Sequence, residues 1–441
     1  MVILAQLVLY AWLPIILYLF VRYSPQRAVI ISFVAGWMFL PQMGISLPFI
    51  PDFDRINSTC YGVLVGILLF DPGRLNRFKV SWIDIPIIVW SLCNLASSLT
   101  NGLGLYDGFN QSLTTTMSWG VPYFIGRLYL DNFIALRRLA IAIFVGAVIY
   151  APMCLYESRL MQNFHLLVYG FQHPSQTFIF SIRLGGYRPS IFMTSGLMLS
   201  IWMMLGTILA MIIWRSKLMK KLWGIPISYY VGLLIITFIL IRSTGAYVLF
   251  AASIAILFIA KWFKVAPFFW SIITITILYI YTGAAGNFPR EQYINLMSNY
   301  FEPDRIESMD FRFKNEELLS AKARERAIFG WGGFGRSRIF NEDGEDISTT
   351  DSLWIIALGS NGAVGLASVF GVLLLPIISF GIRFPAKLWG NPIVAPTAAF
   401  AVFILMYAYD CTANAMVNPV YTLICGGIAG VTVNKNPLLD R

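Results

Sequence analysis

The chain has 441 residues, 58% of them hydrophobic, with a mean hydropathy of +0.70. Soluble domains average roughly 45–50% apolar residues, so composition excludes an ordinary soluble protein. The formal charge of +10 does not indicate nucleic acid, because the basic residues sit in short connections between apolar runs and carry a membrane-topology signal.

Apolar runs of the length that crosses roughly 30 Å of hydrocarbon as a helix recur along the chain. They fall near 3–21, 28–44, 57–70, 83–99, 113–130, 139–156, 190–213, 225–241, 245–260, 267–284, 353–381, 392–411 and 415–433. The run at 57–70 is short for a span, and 353–381 reads as one long span or as a half-helix plus a span. The expectation is an all-α integral membrane protein of about 12–13 transmembrane helices with one large extracytoplasmic loop. The first run opens Met1-Val-Ile-Leu-Ala-Gln6, without the basic start or the small-residue cleavage site of a signal peptide. The organisation is a bundle over 1–285, a loop over 286–350 and closing helices over 351–441, all in one domain.

Alternate connections carry Arg22 and Arg27; Arg74, Arg77 and Lys79; Arg137 and Arg138; Arg215, Lys217, Lys220 and Lys221; Lys261 and Lys264; and Arg383 and Lys387. Positive residues favour the cytoplasmic side. Those connections, and the tail with Lys435 and Arg441, are therefore expected inside. The segments 157–189 and 286–350 are expected outside. The five cysteines, Cys60, Cys93, Cys154, Cys411 and Cys425, lie within or at the ends of apolar runs and read as packed small side chains.

The segment from Glu157 to Pro189 holds both histidines, His165 and His173, among the aromatics Phe164, Tyr169, Phe171, Phe178 and Phe180. That mixture suits an outer interface, with the histidines read as solvated there. Of the chain's 54 charged residues, 21 fall in the 65 residues from Gly286 to Thr350, 9 basic and 12 acidic. Residues 311–329 lack Gly and Pro and read as a helix stopped by Gly330. On it Arg312, Glu316, Leu319 and Ala323 share one stripe. The glycine-rich run Gly330–Gly335, followed by Arg336 and Arg338, reads as a helix stop and turn, and also offers backbone amides to a phosphate. The acidic turn Asn341–Asp346 lacks the alternating ligands of a calcium loop, and no metal site is expected.

Several charges stand where charge is costly. Arg188 and Arg242 lie at outer ends of spans, against the positive-inside trend, and guanidinium forks suit phosphate. Asp410 lies near the outer end of its span, where a carboxylate needs a partner. Asp351 opens the re-entry segment as either the cap of the next helix or a general base.

These blocks occur in a telling order: Tyr187-Arg-Pro-Ser-Ile-Phe192, then Arg242-Ser-Thr-Gly-Ala246, a long loop with a helix opening on Arg312, Gly330-Trp-Gly332, Asp351-Ser-Leu-Trp354 and Gly362-Ala-Val-Gly-Leu366. Over roughly residues 115–430 the chain resembles the O-antigen ligase and polymerase superfamily of bacterial envelope glycosyltransferases. The resemblance implies a bacterial inner (plasma) membrane enzyme that takes an undecaprenyl-diphosphate-linked glycan donor and a glycan acceptor, without metal or cofactor. It implies diphosphate contacts from Arg188 and Arg312, with Arg336 and Arg242 as further candidates, and a catalytic Asp351. Membrane lipids and other polysaccharide-assembly proteins are the implied partners. The ligases carry a His-Asn pair where this chain has Asp351-Ser352, which favours a polymerase over a ligase. The Ser-Arg-Gly pattern between spans is altered as well, with Thr244 where arginine is common. The competing class is a flippase or secondary carrier. Such carriers place charges and broken helices near the bilayer midplane, often in inverted repeats; no internal repeat is evident here.

Topology is open to direct test. A cysteine placed at Asn341 should react with an impermeant thiol reagent in intact cells, and one placed at Ser216 should not. The reverse pattern would invert the whole assignment.

Overall fold

The computed structural model describes residues 2–47, 50–176, 181–300, 303–333 and 335–438. Met1, Phe178, Phe180, Phe334 and Arg441 lie outside the described residues. The chain is 72% helical, and its strands form only two-stranded hairpins. The first half runs α1 (Val2–Arg22), α2 (Pro25–Phe39), α3 (Arg55–Phe70), α4 (Ile85–Thr100), α5 (Leu105–Thr115), α6 (Val121–Tyr129), α7 (Phe133–Leu160) and a short α8 (Phe164–Tyr169). The second half runs α9 (Gly196–Arg215), α10 (Ile227–Leu240), α11 (Thr244–Phe263), α12 (Pro267–Ala285), α13 (Arg290–Met297), α14 (Pro303–Arg324), α15 (Leu353–Arg383), α16 (Ala395–Asp410) and α17 (Pro419–Val433).

Among the described residues, seven helices are long and apolar enough to cross a membrane, which makes this a multi-pass helical membrane protein. The apolar helices α3, α10, α16 and α17 are shorter, at 14–16 residues. At about 1.5 Å per residue they cover roughly 21–24 Å, less than a full hydrocarbon width. The expected run at 113–130 is part of a longer helical stretch, in which α5 and α6 join through the π-helical turn Thr116–Gly120.

Two boundaries differ from expectation for local reasons. The span expected from 190 starts at Gly196. Ile191 stands at φ +52°, off the helical range, with its amide at 2.9 Å and that of Ser190 at 3.2 Å on the Glu157 carboxylate, and Ser195 caps the true start by accepting from Met198 N. The insert helix opens at Pro303 instead of 311 and stops at Arg324, ahead of Gly330. Residues 325–329 form turns, and Gly330 follows at φ +69°.

Helix α16 is buried on nearly every side, with Thr397 and Asp410 among its few buried polar residues. A helix that is apolar all round belongs in a core. Helix α17 crosses α6 at small residues. A Cβ on Gly126 would stand 2.2 Å from Leu423 O, and one on Gly426 2.0 Å from Tyr123 O. Close backbone approach through small residues is how helices associate in lipid, where tails compete for every apolar contact. From the same stretch of α6, Arg127 makes a buried two-point ion pair with Asp84, at 2.7 and 3.0 Å, and the Tyr123 hydroxyl adds a bond at 3.0 Å.

Helix α15 is broken at Gly362, where φ is +65° and ψ −162°. The break matches the half-helix form of the 353–381 run. It frees backbone groups that lipid cannot satisfy. The turn after α14 satisfies them: Trp331 N donates to Gly359 O at 2.8 Å and Gly332 N to Ser360 O at 3.0 Å, while Ala363 N donates to Ala327 O at 2.7 Å. Ser97 Oγ adds a second donor to Ser360 O, and the Asn101 amide holds Gly330 O.

Only glycine adopts the Gly362 conformation readily. An added Cβ would also meet Ile328 O at 2.3 Å. Gly362→Ala should therefore destabilise the protein by about 1–3 kcal/mol from backbone strain alone. Gly232→Ala, in α10 with nothing near its Cβ, should be neutral or stabilising by up to about 1 kcal/mol. Thermal unfolding in detergent checks both; equal melting temperatures would remove the constraint.

Candidate functional site

A cavity of about 720 Å³ lies where α14 meets the ends of α11, α12 and α16. Its position follows from the chain's turns. Leu353 N, at the start of α15, donates to Cys411 O at 3.0 Å and so brings residues 351–352 beside the end of α16. Helix α14 lays its Leu319 and Ala323 face into the bundle, both at most 2% exposed. The same stripe, continued one and two turns back, presents Glu316 and Arg312 to the cavity.

The polar lining is Arg312, Asn315, Glu316, Thr349, Asp351, Ser352, Asp410 and Thr412. Aromatic rings from Tyr279, Phe288, Tyr293, Phe311, Phe313 and Tyr409 form much of the remainder. A third wall is aliphatic, from Val248 and Leu249 on α11 and Ile275 on α12. Val248 and Ile275 are 63% and 53% exposed, so this wall reaches the outer surface of the bundle. Helices α11 and α12 each pack on α16 more than on one another, which leaves a wedge between them.

Three carboxylates face one guanidinium in this cavity. Glu316 accepts the Tyr279 hydroxyl at 2.6 Å. Burial pushes its carboxyl above the usual range, while Tyr279, Trp354, Ser352 and the Arg312 charge pull it back. Asp410 is 9% exposed; its Oδ1 takes the Asn414 amide at 3.0 Å, and among the described residues no donor reaches its Oδ2. A buried carboxylate oxygen without a donor is costly unless something else meets it. Asp351 is exposed at the rim. It does not cap α15, since Ser352 occupies the N-cap position and makes no capping bond.

The arginines singled out from the sequence divide into groups. Arg312 and Asp351 share the cavity. Arg188 and Arg242 do not line it; they flank the hairpin Ile182–Tyr187. Arg242, held at φ +60°, donates to Leu184 O at 3.2 Å, and any side chain at Gly186 would strike its guanidinium. Arg188 is half-buried over Gly196, and burial, with Arg183 nearby, lowers its proton affinity. Ser158 Oγ reaches both Tyr187 O and Leu240 O, which ties the residues before Arg188 and Arg242 together. Arg242 stands three residues before Gly245, which lines the cavity. Arg336 is exposed and outside both groups.

Other expectations shift with the geometry. His165 is fully buried, not solvated: its Nδ1 lies 2.7 Å from Phe171 O, and its Nε2 accepts from Gln42 N at 2.9 Å. Burial lowers its pKa, so it is a neutral structural histidine. The acidic turn closes on itself, with Glu345 N on Asn341 Oδ1 and Arg338 paired to Asp346, which it holds down at about 2. Among the described residues, no group of three or more His, Cys, Asp or Glu is arranged to hold a metal. The five cysteines are free and buried. Glu316 and the orphan oxygen of Asp410 were not singled out as site chemistry from sequence. The available signal was the pairing of a helical stripe with a carboxylate at a span end.

Glu316 makes stability depend on pH. Its carboxyl binds a proton more tightly in the folded protein than in the unfolded chain. Its contribution is therefore full below about pH 4.5, its ordinary value, and is lost as pH rises through the higher folded value. Glu316→Gln should flatten that part of the melting-temperature profile and be more stable than wild type at neutral pH. An unchanged slope would show that Glu316 is not the group responsible. No family model matches this chain, and no curated protein matches it.

Proposed function

We propose that this protein is a membrane glycosyltransferase of the polysaccharide-polymerase type. In this reading about 12–13 helices cross a bacterial inner membrane and the 286–350 insert lies outside. The enzyme moves a glycan from an undecaprenyl-diphosphate-linked donor to a sugar hydroxyl at that outer face. The observation that carries the reading is the cavity that is aromatic and acidic on one side and aliphatic on another, with the aliphatic side reaching the helix surface. A lipid-linked sugar has the same division. Aromatic faces suit pyranose rings, carboxylates accept sugar hydroxyls, and the wedge between α11 and α12 admits a polyprenyl chain from the side.

Charge separation supports two substrates in two places. A diphosphate does not belong among Glu316, Asp351 and Asp410. Arg188 and Arg242, grouped at the start of α11, suit it, with Arg312 at the junction. The acceptor then occupies the acidic cavity. As the glycosidic carbon–oxygen bond to the diphosphate breaks, its electron pair leaves with the phosphate oxygen, where fixed guanidiniums stabilise it. Single donors of this type contribute about 3–4 kcal/mol. The acceptor hydroxyl forms the new bond and gives its proton to a carboxylate, an effect of about 10²–10⁴-fold in rate. Asp351, at the rim, is the proposed base. The donorless oxygen of Asp410 favours a second assignment, in which the proton goes there.

Purified protein supplied with a lipid-linked glycan, and with no ion gradient, should lengthen or transfer it. Arg188→Ala and Arg312→Ala should each lower product by about 10²–10³-fold at unchanged protein level. Lysine should rescue only in part, because it cannot fork two phosphate oxygens. Asp351→Asn should be as inactive as Asp351→Ala; an active Asp351→Asn beside an inactive Asp410→Asn moves the base to Asp410. Normal product from both arginine variants would reduce them to snorkelling arginines without a donor role, and gradient-driven lipid movement without any product from wild type would replace the transferase reading with transport.

A further inference from the structure

A second cavity lies at the other end of the bundle, where the loop after α3, the end of α6 and the end of α17 converge. It has a volume of about 160 Å³, and Arg74, Arg77, Lys79, Arg127 and Asp131 are its charged lining. Four cations thus face one carboxylate. Other basic connections at this end, such as Lys220 and Lys221, are exposed and do not line it.

Two of the guanidiniums are fixed in place. Arg74 is buried, donates its Nε to Leu128 O at 3.0 Å and lies over the Tyr129 ring. Its guanidinium stands 3.9 Å from the Asp131 carboxylate. Arg127 gives Nε and Nη2 to Asp84. Asp71, the other carboxylate of this corner, takes the Tyr129 hydroxyl at 3.0 Å. With Arg127 set against Asp84 and Arg74 held in the wall, Arg77 and Lys79 give the cavity a cationic mouth. Arg77 and Lys79 are exposed at the mouth. Beside them Val80, Trp82 and Ile85 are 65%, 60% and 54% exposed, an apolar strip with an interfacial tryptophan.

We propose that this cavity binds a phosphate group, supplied by an anionic phospholipid headgroup of the cytoplasmic leaflet. The volume admits one phosphate, the guanidiniums are set before it arrives, and the strip at 80–85 lies where its acyl chains would run. Basic pockets between membrane helices on the cytoplasmic side are suited to such headgroups. The site is independent of the outer cavity and of the reaction proposed there.

The test compares purified protein in phosphatidylcholine nanodiscs with the same discs containing cardiolipin or phosphatidylglycerol, and with inorganic phosphate added to the neutral discs. Wild type should melt higher with the anionic lipid and retain it in native mass spectra. Arg77→Gln/Lys79→Gln, which removes two exposed cations and no packing, should weaken retention by roughly tenfold or more. Lys217→Gln/Lys220→Gln removes the same charge elsewhere on this face and should leave retention unchanged. Inorganic phosphate that stabilises wild type as well, but not the 77/79 variant, would keep the site and assign it to soluble phosphate. Equal losses in the two double variants would reduce the effect to diffuse surface charge and overturn the proposal. So would a 77/79 variant that responds like wild type.

Discussion

The interrupted helix at Gly362 is the constraint on which the outer half of the molecule depends. A helix may break inside a membrane protein only if other groups meet the backbone it frees. Here they come from 327–332, the end of the polar insert. The insert is therefore not an appendage. Its return to the bundle is fixed at residue resolution, and this fixes α14 upstream and residues 349–352 downstream. Arg312 and Glu316 owe their position to that seam, and Asp351 owes its own to the Leu353 bond with the α16–α17 link.

The outer end then separates by charge. Arginines cluster at the 182–187 hairpin, where Gly186 leaves room for the Arg242 guanidinium. Carboxylates gather where α16 ends. Asp410 is the costliest of them, because α16 is buried along almost its whole length and the carboxylate is buried at its last residue. Among the described residues no donor meets one oxygen of this carboxylate, and in the proposed reaction the acceptor's hydroxyl would meet it.

Much of this was legible in the chain. Apolar runs located nearly every long helix, because twenty apolar residues have few alternatives in lipid. The 353–381 run was long enough to imply a half-helix, and Arg312 and Asp351 proved to be neighbours. What failed to show was non-local. The non-helical turn before α9, with Ile191 at positive φ, is bonded to Glu157, over thirty residues upstream. His165 reads as an interfacial residue until the Gln42 amide and the Phe171 carbonyl are placed around it. Asp351 reads as a cap until Ser352 takes the position. The joining of Asp410 to Arg312 required the path of α16 through the core, which no local periodicity encodes.

The wedge between α11 and α12 has a consequence for how a ligand is selected. In a bilayer such a space is never vacant, because acyl tails fill it. A polyprenyl chain entering there exchanges one hydrocarbon for another, with almost no hydrophobic gain. Discrimination must then come from the polar end of the molecule, and the tail serves to confine the search to two dimensions. In the proposed transferase, the aliphatic wall would set the direction of entry and leave recognition to the few charged groups above it.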